Sequence, residues 1–207
     1  MSSGNIILIN GTSSAGKSTI TQALQNIMDD PFYLTGIDHF LHSLPQKLIV
    51  ISDGINPRPA DTWLATFENE KIKHVEIGPR GYQLLTGMYS SIASLAKSGI
   101  NSIVDDVIYD PHVFEMALNT LPAENVFFVG IQCSIEVAEQ REILRGDRTL
   151  GGARFFGERV HVYGKYDLEV NSALSAPEEC ALQIKFGFEN RSMPTAFQQL
   201  YELKRDQ

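Results

Sequence analysis

The residues most able to do chemistry stand near the start of the chain. Gly11-Thr12-Ser13-Ser14-Ala15-Gly16-Lys17-Ser18-Thr19 follows the apolar run Ile6 to Ile9 and fits the pattern G-x-x-x-x-G-K-[ST]. Glycines at 11 and 16 let the backbone curl so that successive N–H groups point into one hollow, which the positive end of a following helix also faces. Such a hollow holds phosphate. Lys17 is placed to reach terminal phosphates and the Ser18 hydroxyl to sit on Mg²⁺. Average residue usage would produce the four fixed positions in a chain of this length on the order of 1% of the time, so an ordinary turn is a poor account of them.

Three further groups could complete a phosphoryl-transfer site. Asp38 follows the β-prone segment 32–37, at the carboxyl end of a strand where ligands of open α/β sheets sit. Asp105 and Asp106 end the apolar strand 100–104, where a P-loop protein keeps the carboxylate that holds its metal; which of the two serves is open. Arg141, Arg145 and Arg148 recur four and seven residues apart, on one face if the helix predicted over 134–145 runs that far. Guanidiniums so placed suit polyphosphate, and Gly146, Gly151, Gly152 and Gly157 supply the hinge chemistry of a mobile lid.

The elements that must position these groups alternate. Helical spacing is predicted over 18–28, 80–98, 111–121, 134–145 and 177–186, with strands over 6–9, 32–37, 100–104, 126–131 and 166–170. Continuous apolar strands separated by helices imply a parallel sheet with helices on both faces. The exception is 44–79, punctuated by Pro45, Pro57, Pro59 and Pro79, with turn signals at Asp53-Gly54 and Pro57-Arg58-Pro59. It reads as an irregular insertion with a small hairpin of arms 67–72 and 75–77. Trp63, Phe67 and Tyr82 are candidates to line a substrate pocket there, and His39, next to Asp38, is placed to touch substrate. The segment 193–207 reads as a short helix that docks or frays.

Composition bounds the rest. With 207 residues, 43% hydrophobic and 20% charged, the chain suits one soluble domain. A net charge of −8 disfavours nucleic acid and anionic membrane as partners. No apolar run approaches the roughly 18 residues needed to span a bilayer and no signal core is visible, so a cytoplasmic protein is expected. Cys133 and Cys180 lie far apart and read as core thiols, and the five histidines show no ligand spacing. A homo-oligomer is compatible with all of this.

Five blocks now stand in order: 11–18, Gly36-Ile37-Asp38, Ile103-Val104-Asp105-Asp106-Val107, Arg141-Glu142 with Arg145-Gly146-Asp147-Arg148, and Tyr166-Asp167-Leu168-Glu169-Val170. Together they resemble the chloramphenicol phosphotransferase-like family of small P-loop kinases, over roughly residues 6–187. The resemblance implies a three-layer α/β P-loop kinase fold with an adenylate- or shikimate-kinase-like, five-stranded parallel sheet. It also implies one kinase domain over 1–190, a lid near 141–157 and a separate tail from 191. The implied activity is transfer of the ATP γ-phosphate, with Mg²⁺, to a hydroxyl of a small molecule. By position Asp38 matches the family's general base and the arginine block its closing lid. Gln132 and Ser134 flank Cys133 where the family carries arginine and aspartate, and 44–79 matches loosely.

Two other readings compete. A regulatory GTP switch or stand-alone P-loop NTPase, acting without an acceptor, would usually carry Asp-x-x-Gly and Asn/Thr-Lys-x-Asp motifs; no glycine here is preceded by Asp three residues earlier, and Gly164-Lys165-Tyr166-Asp167 has the wrong first residue. Within kinases, a nucleoside, nucleotide or shikimate-type acceptor is the runner-up. An anionic acceptor needs cations near Asp38, where the adjoining stretch offers mainly Lys47 and Arg58, and this favours a neutral or cationic acceptor.

Overall fold

The computed structural model describes residues 3–45, 49–52, 63–146, 149–163 and 165–205. Along the chain run β1 (Ile6–Gly11), α1 (Lys17–Ile27), β2 (Phe32–Gly36), α2 (Ile37–His42), β3 (Ile49–Ser52), β4 (Trp63–Glu68), β5 (Lys71–Ile77), α3 (Pro79–Lys97), β6 (Asn101–Asp106), α4 (Pro111–Thr120), β7 (Val126–Gln132), α5 (Ile135–Arg145), α6 (Gly152–Gly157), β8 (Leu168–Asn171), α7 (Pro177–Glu189) and α8 (Ala196–Arg205). Arg148, Lys47, Arg58, Gly164 and the turn signals at 53–54 and 57–59 lie outside the described residues.

Five parallel strands form the main sheet in the order β2-β6-β1-β7-β8. The apolar run of β1 explains its central place. Ile6 and Leu8 face Leu85, Met88, Tyr89 and Ile92 of α3 and Phe114 of α4, while Ile7 and Ile9 face Ile20 and Leu24 of α1 and Ile184 and Phe188 of α7. A strand buried on both sides has no polar alternation to show. Each such side chain contributes roughly 1.5–3 kcal/mol by leaving water, and the result is three layers.

The helices begin and end where local chemistry directs. Asp110 caps α4 by accepting from the His112 and Val113 amides at 2.8 and 3.1 Å. The α5 helix stops at Arg145 because Gly146 adopts a left-handed conformation at φ 66°. The arginine face therefore ends with Arg145 among the described residues.

The described residues of the insertion form regular strands. A second sheet, β3-β4-β5, pairs β3 with β4 in parallel and β4 with β5 as a hairpin. The turn falls at Asn69 and Glu70, both with positive φ, inside what the sequence offered as one arm. Asn69 tolerates that conformation, so the chain reverses there rather than at residues 73–74.

The expected lid is more firmly held than its glycines suggest. Helix α6 buries Ala153 and Phe155, and the Ile72 amide of β5 donates to the Leu150 carbonyl at 2.7 Å. Gly151 serves close approach: a Cβ there would stand 2.7 Å from the Ile72 backbone.

The tail docks. Phe197 is fully buried against the Phe128 ring, and the Asp167 carboxylate accepts from the Phe128 and Ala196 amides at 2.7 and 2.6 Å. That use of Asp167, with the Tyr166 ring lying over Gly130, is why β8 starts at Leu168 and not at Tyr166. Among the described residues no helix is long and apolar enough to cross a membrane.

Candidate functional site

At the carboxyl end of β1 the loop 12–16 turns into α1 through Ser14 at φ 59° and Gly16 at φ 86°. No side chain caps α1 and no acid lies in its first turn, so its leading amides face the hollow. The Ser14 hydroxyl is buried there without a hydrogen-bond partner. An orphan hydroxyl under open amides fits a phosphate group. Lys17 is nearly buried, and its ammonium donates to the Thr12 carbonyl at 2.9 Å.

The second strand to bear on this hollow is β6, paired with β1 in register Ile9 to Asp105. Asp105 accepts a hydrogen bond from the Ser18 hydroxyl at 2.9 Å and stands 3.8 Å from the Lys17 ammonium. Asp106 points to the opposite face, as the strand pleat requires, and is fully buried. It accepts from the Tyr89 hydroxyl and the Val107 amide, each at 2.7 Å. Burial raises its pKa to about 6, against the lowering by those two donors. The two consecutive aspartates expected as alternatives are thereby separated, one in the hollow and one in the core. Ser18 and Asp105 suit a hard cation such as Mg²⁺, which takes one or two protein oxygens and completes its shell with water and phosphate.

A cavity of about 230 Å³ extends from this hollow. Ser13, Ser14, Gly16, Lys17, Ser18, Thr19 and Asp105 line one end. Asp38, Ile37 and Leu41 from α2, Trp63 and Val75 from the second sheet, Val107, Tyr109, Arg145 and Phe156 line the rest. Asp38 reaches it because Gly36, the last residue of β2, lies against Asp105 in the β2–β6 register, and α2 begins immediately after. A second cleft of about 410 Å³ opens on the other side of the loop, lined by Ser14, Gly16, Thr19, Ile20, Arg141, Leu144, Arg145, Ser172, Ser175 and Pro177. Arg145 borders both spaces.

Arg141 is placed differently from Arg145. Its guanidinium donates to the Ser172 carbonyl at 2.6 Å, to the Ala15 carbonyl at 3.3 Å and to the Ser172 hydroxyl at 3.4 Å, with the Cys133 sulfur at 3.7 Å. It braces the loop from below. Gly11 and Thr12 close the loop's start: a Cβ on Gly11 would meet the Ile131 carbonyl at 2.9 Å, and the Thr12 hydroxyl donates to the Ala153 carbonyl at 2.8 Å.

Of the aromatic candidates only Trp63 lines the cavity among the described residues. Tyr82 instead donates to Asp110 at 3.2 Å and lies against His112, and His39 lines a separate groove with Tyr33 and Phe40. Tyr109 and Phe156, which reach the wall, carry no local motif. Tyr109 stands three residues after Asp106, the end of the aspartate strand, and that position is its one local hint.

A profile of the family described as chloramphenicol phosphotransferase-like protein matches residues 4–189. The chain belongs to that family. Two proteins of Mycobacterium tuberculosis, from strains CDC 1551 and H37Rv and named as candidate O-phosphotransferases, are each 30% identical over 203 residues, 97% of this chain and 89% of theirs. In fold the chain is similar to a sugar kinase from Janibacter sp. HTCC2649, with TM-score 0.62, 13% identity and coverage of 90% of this chain and 95% of that one. It is likewise similar to the Mycobacterium tuberculosis APS kinase in complex with AMPPNP and APS, at TM-score 0.60, 13% identity and 92% and 100% coverage. A gluconokinase from Sinorhizobium meliloti 1021 gives TM-score 0.58, 15% identity and 100% and 98% coverage. The chain is a P-loop phosphotransferase with a small-molecule acceptor.

Proposed function

We propose that the protein transfers the γ-phosphoryl group of ATP to a hydroxyl of a small, largely apolar molecule, with Mg²⁺ as the metal. The observation that carries this is the Ser18 hydroxyl 2.9 Å from Asp105, beside Lys17, at one end of a cavity whose wall includes Asp38. Lys17 and Arg145 would neutralise charge on the transferring oxygens. Arg141 would hold the loop that cradles the phosphates. Gly11 to Thr19 would supply the amides and hydroxyls of the cradle, and Arg148 is proposed to add a further cation from the lid. Mg²⁺, held through Ser18 and Asp105, would supply further charge neutralisation.

Asp38 would accept a hydrogen bond from the attacking hydroxyl and take its proton as the new oxygen–phosphorus bond forms. The bond from the γ-phosphorus to its bridging oxygen breaks, and ADP leaves. Such transfer needs alignment and charge neutralisation more than covalent chemistry. The acceptor end carries Trp63, Tyr109, Phe156, Val75, Leu41 and Ile37, and the cavity's cations among the described lining residues are Lys17 at the phosphate end and Arg145. That lining supports an uncharged acceptor with an apolar body.

A kinase of nucleosides, nucleotides or shikimate-type molecules is the second reading. Three aromatic rings at the wall support it, since a base stacks on such rings, and so does the likeness in fold to a kinase in complex with AMPPNP and APS.

An ATP-consumption screen decides between them. Chloramphenicol, simple aromatic alcohols, sugars, amino sugars, nucleosides and shikimate are offered to the protein beside Lys17→Ala and Asp38→Ala. Turnover stimulated by an uncharged alcohol and lost in both variants is expected. Stimulation only by nucleosides or by anions moves the assignment to the second reading, and no stimulation above the Lys17→Ala level removes both.

A further inference from the structure

Glu142 is a carboxylate with 2% exposure, on a helix whose neighbouring arginines face the nucleotide side of the site. A charge so buried is unfavourable unless fully hydrogen-bonded. Here both oxygens are used: Oε2 accepts from the Gly151 amide at 2.7 Å and Oε1 from the Ala153 amide at 2.8 Å. Neither bond reaches phosphate or acceptor. They tie α5 to the turn that opens α6.

That turn is a junction of four parts of the molecule. The Thr12 hydroxyl of the loop donates to the Ala153 carbonyl at 2.8 Å, and the Lys17 ammonium donates to the carbonyl of the same Thr12 at 2.9 Å. The Ile72 amide of β5 donates to the Leu150 carbonyl at 2.7 Å. Strand β5 is paired to β4 with Ile77 opposite Trp63, and Trp63 and Val75 are cavity wall. Phe156 of α6 is wall as well, and Phe155 meets the Tyr109 ring at 5.7 Å. Arg145, three residues beyond Glu142, borders both the cavity and the second cleft.

We propose that Glu142 is a positioning residue that links the two halves of the reaction. By clamping the Gly151–Ala153 turn to the arginine helix, it makes occupation of the phosphate loop set the acceptor wall at Trp63 and Phe156. The route is physical. Phosphates drawing on Lys17 act on Thr12; Thr12 acts on Ala153; the clamped turn moves α5, α6 and β5 as one body rather than separately. The donor would thus prepare the acceptor pocket, and a wall that tightens when nucleotide is held limits transfer to water. The inference rests on the reading of 11–19 as the donor site.

Glu142→Gln is the sharpest probe, since it keeps volume but replaces one acceptor oxygen by a donor that faces a backbone N–H. The chain has a single tryptophan, Trp63, so its emission reports on the acceptor wall alone. AMP-PNP with Mg²⁺ is titrated into the wild type, Glu142→Gln and Lys17→Ala. Calorimetry measures binding, acrylamide quenching of Trp63 measures the wall, and hydrogen exchange follows peptides over 149–157 and 71–77.

In the wild type AMP-PNP should bind, lower Trp63 quenching and protect both peptides. In Glu142→Gln it should bind within about tenfold of the wild type while most of the Trp63 change is lost at saturation. A full Trp63 response in Glu142→Gln overturns the proposal, and so does wild-type binding that protects only the loop. Should Glu142→Gln fail to fold, the wild-type exchange pattern decides by itself. Absence of AMP-PNP binding to the wild type removes the donor site, and the linkage with it, a result distinct from binding without linkage.

Discussion

Gly36 lies opposite Asp105 in the parallel register of β2 and β6, so close that a Cβ on Gly36 would stand 2.0 Å from the Asp105 carbonyl oxygen. The contact is backbone to backbone and cannot be relieved by a side-chain rotation. It fixes the distance between the strand that delivers Asp38 and the strand that delivers Asp105. Gly36→Ala should push β2 away from β6 and lower acceptor-dependent ATP turnover by about 100-fold, the scale of a misplacement near 1 Å. Nucleotide affinity, which depends on β1 and the loop, should change far less; calorimetry with AMP-PNP beside the turnover assay reads the two separately.

Asp105 and Asp106 have opposite surroundings, and their variants should behave oppositely. Asp105→Ala is expected to raise the Mg²⁺ concentration needed for half-maximal turnover by roughly tenfold or more, since it removes one of the few protein oxygens open to the cation. Asp106→Asn should leave that concentration near the wild-type value and act on thermal stability instead, through the Tyr89 and Val107 hydrogen bonds. A Mg²⁺ titration of both variants, with melting curves, checks the assignment. The reverse pattern would sink it.

Asp38→Asn keeps the size of the side chain and removes its ability to take a proton. General-base assistance is worth about 10²–10⁴-fold, so turnover with the best acceptor from the screen should fall by that order while AMP-PNP affinity stays within about threefold. Equal losses in both would show that Asp38 serves the nucleotide.

What could be read from the chain alone follows from how local each signal is. The loop 11–19, the buried strand 6–9 and Asp38 at a strand end are short-range patterns, and each is found where the pattern placed it. The choice between Asp105 and Asp106 depended on which side of β6 faces the hollow, and an apolar run that is buried on both sides conceals its pleat. Nothing local announces the role of Glu142, because its two hydrogen-bond donors lie nine and eleven residues ahead, across a turn. The hairpin turn lies inside the expected arm 67–72 because that stretch holds no Gly or Pro to mark it, while Asn69 and Glu70 take left-handed conformations. Tyr109 and Phe156 meet only through tertiary packing, at 4.9 Å between ring centroids, and no spacing announces it.

The C-terminal segment lies beyond the stretch matched by the family profile, yet it is part of the core. Phe197 is fully buried and meets the Phe128 ring at 5.7 Å, edge to face. Phe197→Ala should destabilise the protein by about 3–5 kcal/mol, as removal of a buried phenyl group does. A urea unfolding curve measures this. A loss below about 1 kcal/mol would mean that α8 is detached in solution.

His161 offers a test by pH. Its Nδ1 lies 2.8 Å from the Tyr166 hydroxyl, which also accepts from the Asn10 side chain at 2.9 Å, at the base of the loop. Burial lowers the His161 pKa below its usual 6.5, Lys17 adds to the lowering, and Glu169 and a backbone contact to Ile131 oppose it. The neutral ring is therefore the form the fold holds. Above about pH 7 both the folded and the unfolded protein carry His161 neutral, and it contributes no pH dependence. As pH falls through 6.5 the unfolded chain takes up the proton first, so stability declines until the lower folded pKa is reached. Urea unfolding of the wild type from about pH 8 to 5 should show this decline. His161→Gln cannot titrate at this position, so the wild type should lose stability relative to the variant as pH falls, whatever the other histidines do. Parallel curves would place His161 in a solvated setting and dissolve the Asn10–Tyr166–His161 contact as a support of the loop.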